Sequence, residues 1–419
     1  MRVLICAVGS RGDVVPFTGV GTALRRAGHT VTIAAHPSYA SMVTGVGLQA
    51  HPMPGDLGVL LDLPERSTPA YQAGRVPRLT ELLHRAAHAT LEAAADADLL
   101  LMNGSAPFGY DIAEALGIPS AGLYNQPMTP TSAFPPIVLH SARSWGARGN
   151  RLLGELGLRS MIPFHRAGDR LRRELGLPPR SVGATAARQA REGWPILHGY
   201  SPAVLPRPDD WRPGLEVVGY WWPEPVAWEP PAELTEFLAA GPPPVLVGFG
   251  SMAGGHGARL LPLVVAALRA AGARGILQAG RAGLGADASG FGPDVLAIGD
   301  APHEWLLPRV AAVVHHAGAG TTGATLRAGV PSVPTPVFAD QPLWSKRLVE
   351  LGCASEVIPF RKLGEERLTA ALRAVLEPRH REAAQAMARR LADEDGTRAV
   401  VELVDRISAS GDQGDTAVG

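Results

Sequence analysis

Residues 311–331, AAVVHHAGAGTTGATLRAGVP, set two histidines and three spaced glycines between an apolar run and a helix-like segment. Gly318, Gly320 and Gly323 fit G-x-G-x-x-G, and Asp340 follows Gly320 by 20 residues, near where a dinucleotide-binding unit carries its ribose-binding acid. A strand, a glycine turn and a helix start together present unpaired backbone N–H groups and the positive end of the helix dipole. That combination suits a diphosphate. Small residues at 317–320 let the backbone approach an anion, Thr321 and Thr322 add hydroxyl donors, and His316 at the strand end can donate to a phosphate oxygen. A tight strand-to-helix turn in any doubly wound sheet would look similar, but His, Gly and Thr converging on one helix start favour phosphate. The dinucleotide reading is weaker, because this run follows several strands of its unit and Asp340 lies in the proline-interrupted PSVPTPVFADQP. Asp340 and Gln341 are adjacent polar groups suited to gripping neighbouring sugar hydroxyls. Equally, Asp340 suits the N-cap of a helix over PLWSKRLVELG.

The elements that must position these residues alternate. RVLICAV (2–8), TVTIAAH (30–36), LLLMNG (99–104) and PSAGLY (119–124) read as strands. Between them, VPFTGVGTALRRAGH (15–29), PRLTELLHRAAHATLEAAADA (77–97) and GYDIAEALG (109–117) have helical spacing. A second series follows with strands in PPVLVGFGS (243–251), RGILQAG (274–280), VLAIGD (295–300), AAVVHH (311–316) and PSVPTPV (331–337), and a helix in GARLLPLVVAALRAAG (257–272). Strands alternating with helices predict two α/β, Rossmann-like, doubly wound domains facing across a cleft. The expected division is 1–218, a linker over 219–234, a second domain over 235–407 and a frayed tail over 408–419, with the arginine-rich 141–191 region helical. Ligands bind such sheets at the carboxyl ends of the strands, which places a site in the cleft.

Composition narrows the function. The 39 basic and 39 acidic residues of the 419 cancel, which argues against nucleic acid or an anionic membrane as the main partner. Two cysteines, Cys6 and Cys353, make neither a disulfide framework nor a Cys-rich zinc site. The N-terminus turns polar after Val8, too early for a signal peptide. No stretch approaches 18 apolar residues, so a cytoplasmic protein without stable membrane insertion is expected. The only lysines, Lys346 and Lys362, follow no glycine loop, so a Walker A site is absent and a pyridoxal enzyme has no supporting context. Asp96–Ala97–Asp98 would be a metal-binding D-x-D in another architecture, but it falls at the amino end of a strand and reads as a surface turn.

Residues 301–341 resemble the nucleotide-sugar-binding signature of the family 1 glycosyltransferases with the GT-B fold, with the nearest likeness to bacterial sterol and natural-product enzymes. GFGSM (248–252) is similar to that family's second-domain glycine turn, and GSRGDVVPF (9–17) resembles the acceptor-side loop of its glycopeptide-antibiotic branch. The resemblance implies that His316, Gly318, Gly320, Thr321 and Ser251 meet the donor diphosphate. It implies that Pro302 and His303 meet the base, and that Asp340 and Gln341 hold donor-sugar hydroxyls. Asp13 matches the acid proposed to take the acceptor's proton, with Ser10 and Arg11 beside it on the acceptor side. A carboxylate there would also offset the first helix's dipole. Many members use a histidine in this loop, and none is present. Ala317 stands where many relatives have glycine. The implied reaction is inverting sugar transfer with no metal and no cofactor beyond the nucleotide-sugar donor.

The acceptor side is read from its composition. Segments 54–77 and 124–146 are proline-rich and carry Met128, Phe134, Ile137 and Trp145, which suits a small apolar acceptor, although the same residues could simply pack against the arginine-rich helices. UDP-glucose is expected over a dTDP-sugar, because Asp340 and Gln341 favour a hydroxyl-bearing hexose. The competing readings are an NAD(P)-dependent oxidoreductase using the glycine run and a non-catalytic nucleotide-sugar-binding helper. A monomer or homodimer is expected.

Overall fold

Seven short strands in the first part of the chain lie between helices and pair only in parallel, so the sheet is covered on both faces. They are β1 (Arg2–Cys6), β2 (Thr30–Ala35), β3 (Gln49–Pro52), β4 (Leu99–Met102), β5 (Ser120–Tyr124), β6 (Ile196–His198) and β7 (Leu215–Val217). Their helices are α1 (Arg11–Arg26), α2 (Ala40–Gly45), α3 (Pro69–Ala94), α4 (Phe108–Leu116), α5 (Gly146–Arg159), α6 (Ile162–Glu174) and α7 (Val182–Arg191). The second part holds β8 (Val245–Gly248), β9 (Gly275–Gln278), β10 (Val295–Ile298), β11 (Ala312–His315) and β12 (Ser332–Pro334). With them go α8 (Ala232–Ala239), α9 (Gly257–Ala270), α10 (His303–Leu306), α11 (Ala319–Arg327), α12 (Gln341–Glu350), α13 (Glu365–Val375), α14 (Pro378–Leu391) and α15 (Gly396–Asp415). This computed structural model describes residues 1–54, 69–225, 227–250, 256–280 and 292–415.

The sheet orders are β3-β2-β1-β4-β5-β6-β7 and β10-β9-β8-β11-β12, with every pairing parallel. Each order reverses direction once, between β1 and β4 in the first sheet and between β8 and β11 in the second. Ligand crevices of open α/β sheets form at these reversals. The first turn of α1, just past β1, carries Asp13 and the loop after β4 carries Asn103, while the loops after β8 and β11 carry Gly250 and His316. Burial drives the central strands: Leu4, Ile5, Leu99, Leu100 and Leu101 in one sheet and Val245, Val247, Val314 in the other are sealed from solvent.

Several elements differ from the sequence-based expectation. β3, β6 and β7 read QAHP, ILH and LEV, too short to show a period, and they exist because a neighbouring strand offers an edge. α1 starts at Arg11 rather than Val15, because Ser10 and Asp13 form a capping box there. The expected linker is packed at its start, with Tyr220 and Trp221 buried and Trp221 against Phe17 at 5.8 Å. The tail expected to fray is helical through Asp415. Moreover, α15 leaves the second unit and buries Val400, Leu403 and Val404 in the core shared by Phe17, Val20 and Trp221. Asp98 accepts from the Arg2 backbone and side chain, so the D-x-D run is indeed a surface turn.

Candidate active site

The first domain's contribution begins with a capping box. Asp13 Oδ2 accepts from the Ser10 backbone N–H at 2.8 Å and from its hydroxyl at 3.0 Å. Gly9 permits this: its φ is +145°, and a Cβ there would lie 2.3 Å from Asp13 Oδ2. The alternative reading of Asp13 as a helix-start carboxylate therefore holds, yet the residue also lines a pocket with Asn103, Gly104, Ser105, Tyr124, Asn125, Gln126 and Met128. Burial raises the Asp13 pKa above its ordinary value, and the Ser10 bonds only partly oppose it. Among the described residues Asp13 Oδ1 has no hydrogen-bond donor. Asn103 is consumed by the backbone, donating to Val8 O at 2.7 Å and accepting from Val8 N. Asn125 is not: both its amide atoms are buried without a protein partner.

The second domain brings the start of α11. Gly318 is the N-cap, and the helix's first N–H groups have no intrahelical acceptor. Each glycine of the run has its own reason. A Cβ on Gly318 would lie 2.6 Å from His316 Nε2, one on Gly323 would lie 2.6 Å from the Tyr220 ring, and one on Gly320 would meet nothing within 4 Å. Gly320 thus leaves open space over the helix start. Burial, with a smaller push from His303, lowers the His316 pKa to about 4. The ring is neutral at physiological pH, and its buried Nδ1 has no partner. His315, which sequence reasoning left without a role, accepts the Ala317 N–H at Nδ1 and steadies the left-handed Ala317, φ 60°. Thr321 is half-buried at the helix start, whereas Thr322 turns inward, fully buried with an unpartnered hydroxyl.

Asp340 is the N-cap residue of α12, but its carboxylate takes the Trp344 indole N–H at 2.6 Å instead of capping. Burial raises its pKa to about 7; the Trp344 bond opposes this, and the charge of Asp13 adds to it. That coupling brings Asp13 of the first domain and Asp340 of the second into one site. Gln341 Oε1 accepts from Val337 and Phe338 N–H at 2.8 and 3.1 Å, which closes the preceding loop on itself. Only the amide nitrogen of Gln341 is left for a ligand.

Two contacts tie the rims of the cleft. Arg11 pairs with Asp300, and His140 Nδ1 accepts the Ala339 N–H at 2.9 Å. His140, Ala317 and Ala339 are the non-glycine residues with positive φ among those described, and all three lie at this cleft, where strained backbone collects in binding sites. His303 starts the short α10 after Pro302, and its pKa is lowered by burial and then by Arg11, against Glu304 and Asp300. Arg11, His303 and His316 therefore share one electrostatic neighbourhood. Met128 reaches the Asp13 pocket. Phe134 does not serve an acceptor, being buried edge-on against Trp211 at 6.4 Å. Trp145 does not line the Asp13 pocket and is 41% exposed beside Arg143. Ser251 lies outside the described residues.

Comparison with known proteins agrees with this geometry. Residues 3–134 match the family model "Glycosyltransferase family 28 N-terminal domain", and residues 276–407 match "Erythromycin biosynthesis protein CIII-like, C-terminal domain". O-mycaminosyltylonolide 6-deoxyallosyltransferase of Streptomyces fradiae is 34% identical over 97% of this chain and 97% of its own. A sterol 3-beta-glucosyltransferase of Arabidopsis thaliana is 33% identical over 96% of this chain, which spans 65% of that relative's length. Among solved structures, the glycotransferase of kitacinnamycin superposes with a TM-score of 0.70 at 22% identity, over 97% of this chain and 98% of that one. The spinosyn rhamnosyltransferase complexed with thymidine diphosphate gives 0.65 at 18% identity, over 97% of this chain and 100% of that one. Two facing parallel α/β domains define a GT-B architecture, and the chain belongs to the family 1 glycosyltransferases. No helix among the described residues is long and apolar enough to cross a membrane.

Proposed function

We propose that this chain is an inverting glycosyltransferase that moves a sugar from a nucleoside-diphosphate donor to a hydroxyl of a small, apolar acceptor. UDP-glucose is the favoured donor and a dTDP-sugar the second. One observation carries the reading: α1, whose first turn holds Asp13, packs near α11 of the other domain, and the charge of Asp13 bears on the buried Asp340 there. The acceptor hydroxyl would lie in that pocket with Asn125 as its hydrogen-bonding neighbour and Met128 against its apolar body. Asp13 would take the hydroxyl proton as the oxygen bonds to the anomeric carbon, while the bond from that carbon to the diphosphate breaks on the opposite face. Its raised pKa makes Asp13 a better base than an ordinary carboxylate. Charge building on the leaving diphosphate would meet the α11 N–H groups, His316 and Thr321, donors already in place. Asp340 and the Gln341 amide nitrogen would orient the sugar. The sterol and tylonolide relatives support an apolar, hydroxyl-bearing acceptor. The glucosyl transfer named for the sterol enzyme supports a hexose donor.

Asp13→Asn is expected to lower turnover by about 10²–10⁴-fold with UDP affinity nearly unchanged; a fully active variant removes Asp13 as the base. His316→Ala is expected to weaken UDP binding by roughly 1.5–3 kcal/mol, the worth of a hydrogen bond to a charged group, and unchanged affinity by calorimetry sinks its phosphate role. A thermal-shift comparison of UDP-glucose with dTDP-sugars ranks the donors, since the bound ligand raises Tm.

A further inference from the structure

Helix α3 and helix α6 pack side by side in the first domain, and their contact contains a cluster that sugar transfer does not use. His84 and His88 lie one turn apart on α3, so both project to one face. Opposite them is Glu174, the last residue of α6. His84 Nε2 and His88 Nε2 both point at one oxygen, Glu174 Oε2, at 2.9 and 2.8 Å. The three potential ligand atoms all lie within 4.8 Å of one another. The two imidazole rings sit edge to face with centroids 4.6 Å apart, which aims both nitrogens at the same point from different directions. The other carboxylate oxygen of Glu174 is held by Arg170 Nε at 3.2 Å. That bond leaves Oε2 to the histidines.

We propose that His84, His88 and Glu174 form a binding site for a divalent transition-metal ion of the zinc class, which clamps α3 to α6. Two imidazoles and a carboxylate are the donor set such ions prefer over the oxygen-only set of magnesium or calcium. With bonds of about 2.0–2.2 Å, ligand atoms on one tetrahedral ion lie about 3.4 Å apart. Opening the present 2.8 and 2.9 Å contacts by roughly half an ångström would admit the ion. Each imidazole now donates its Nε2 proton to the carboxylate. On metal binding that proton leaves Nε2 and the ring takes the Nδ1–H tautomer, so both nitrogens become ligands.

The site is built yet reachable. His84 is buried, with only 5% of its side chain exposed, while His88 and Glu174 are 45% and 39% exposed. Solvent can therefore supply the fourth ligand of an open tetrahedral site. The consequence falls on the acceptor side of the domain. Leu82, Leu83 and Ala86, on the same turn of α3 as His84, line a pocket with Val8 and Gly9 after β1, His36 after β2 and Met53 after β3. An ion joining α3 to α6 would fix the wall of that pocket.

The test uses the full chain stripped with a chelator and then given Zn²⁺ alone. Tm is expected to rise by about 2 °C or more at tenfold excess over Kd, and the rise is expected to reverse with chelator. His88→Ala changes a half-exposed side chain, so folding should persist. It should lower Zn²⁺ affinity by about 100-fold or more, since even outer-shell losses cost 10–100-fold. Arg170→Ala should keep the response or strengthen it, because it frees Glu174. Substituted Co²⁺ should show a tetrahedral ligand-field band that His88→Ala loses. A Tm that Zn²⁺ leaves unchanged or lowers, or a response that survives in His88→Ala, overturns the proposal and leaves the cluster as a pair of hydrogen bonds.

Discussion

At the scale of single residues, the cleft sets two carboxyl groups against each other. Asp340 is buried, close to Asp13, and its pKa stands at about 7 against an ordinary value of about 3.9. A raised carboxyl pKa means the native state holds its proton more tightly than the unfolded chain. Its contribution to stability is therefore fully present below pH 4, declines as pH rises towards 7, and levels off above that. The penalty at pH 8 is on the order of 4 kcal/mol at most, from about three pKa units. Asp340→Asn keeps an acceptor for the Trp344 N–H and removes the ionisation. Its urea midpoint should match the parent near pH 4 and exceed it at pH 8; parallel curves across that range would exclude the burial penalty. His316, Asp13 and Asp340 were legible because each sits at a fixed offset from a strand or glycine. Asn125 and His315 were not, since nothing local marks an amide as unpartnered or a histidine as the acceptor for a turn. Phe134 read as a ligand contact because an apolar residue in a loop looks the same whether it meets an acceptor or Trp211.

At the scale of elements, the glycine run separates packing from binding. Gly323→Ala would drive a methyl to within 2.6 Å of Tyr220, so overpacking of about 1–3 kcal/mol should outweigh the helix-propensity gain of at most about 1 kcal/mol. Gly320→Ala meets open space. There the propensity gain stands alone, so Tm should hold or rise, while UDP binding weakens because the methyl occupies the anion's approach. Equal losses of stability in both variants would refute separate roles. The buried strands were readable from their apolar runs and the amphipathic helices from their period. β3, β6 and β7 have three or four residues each, and their existence depends on a sheet edge that only the folded domain supplies.

At the scale of the whole molecule, the final helix decides how the halves are held. α15 follows the second domain in sequence but packs on the first, where Val400, Leu403 and Val404 join Phe17, Val20 and Trp221. Its entry is fixed by backbone contact: Trp221 Nε1 donates to Gly396 O at 3.0 Å, and a Cβ on Gly396 would lie 2.4 Å from Gly219 O. Farther along, His29 reaches Asp405 at 3.2 Å, and just before the helix Glu394 accepts from Ser201 at 2.6 Å. Local composition hides this, because the helix's apolar face is ordinary and its partner lies some 380 residues earlier in the chain. The face α15 covers includes α1, the helix whose first turn carries Asp13. Removing it should therefore affect stability and chemistry together. A chain ending at Asp395 should unfold in two separated transitions, with the first domain melting earlier. Leu403→Ala, which only hollows the contact, should cost about 2–5 kcal/mol without separating the halves. In the truncated chain UDP should still bind, because the α11 cradle belongs to the second domain, while turnover falls as α1 loses its backing. A single unshifted transition with normal turnover would mean that the cleft holds its own geometry and α15 is a passenger.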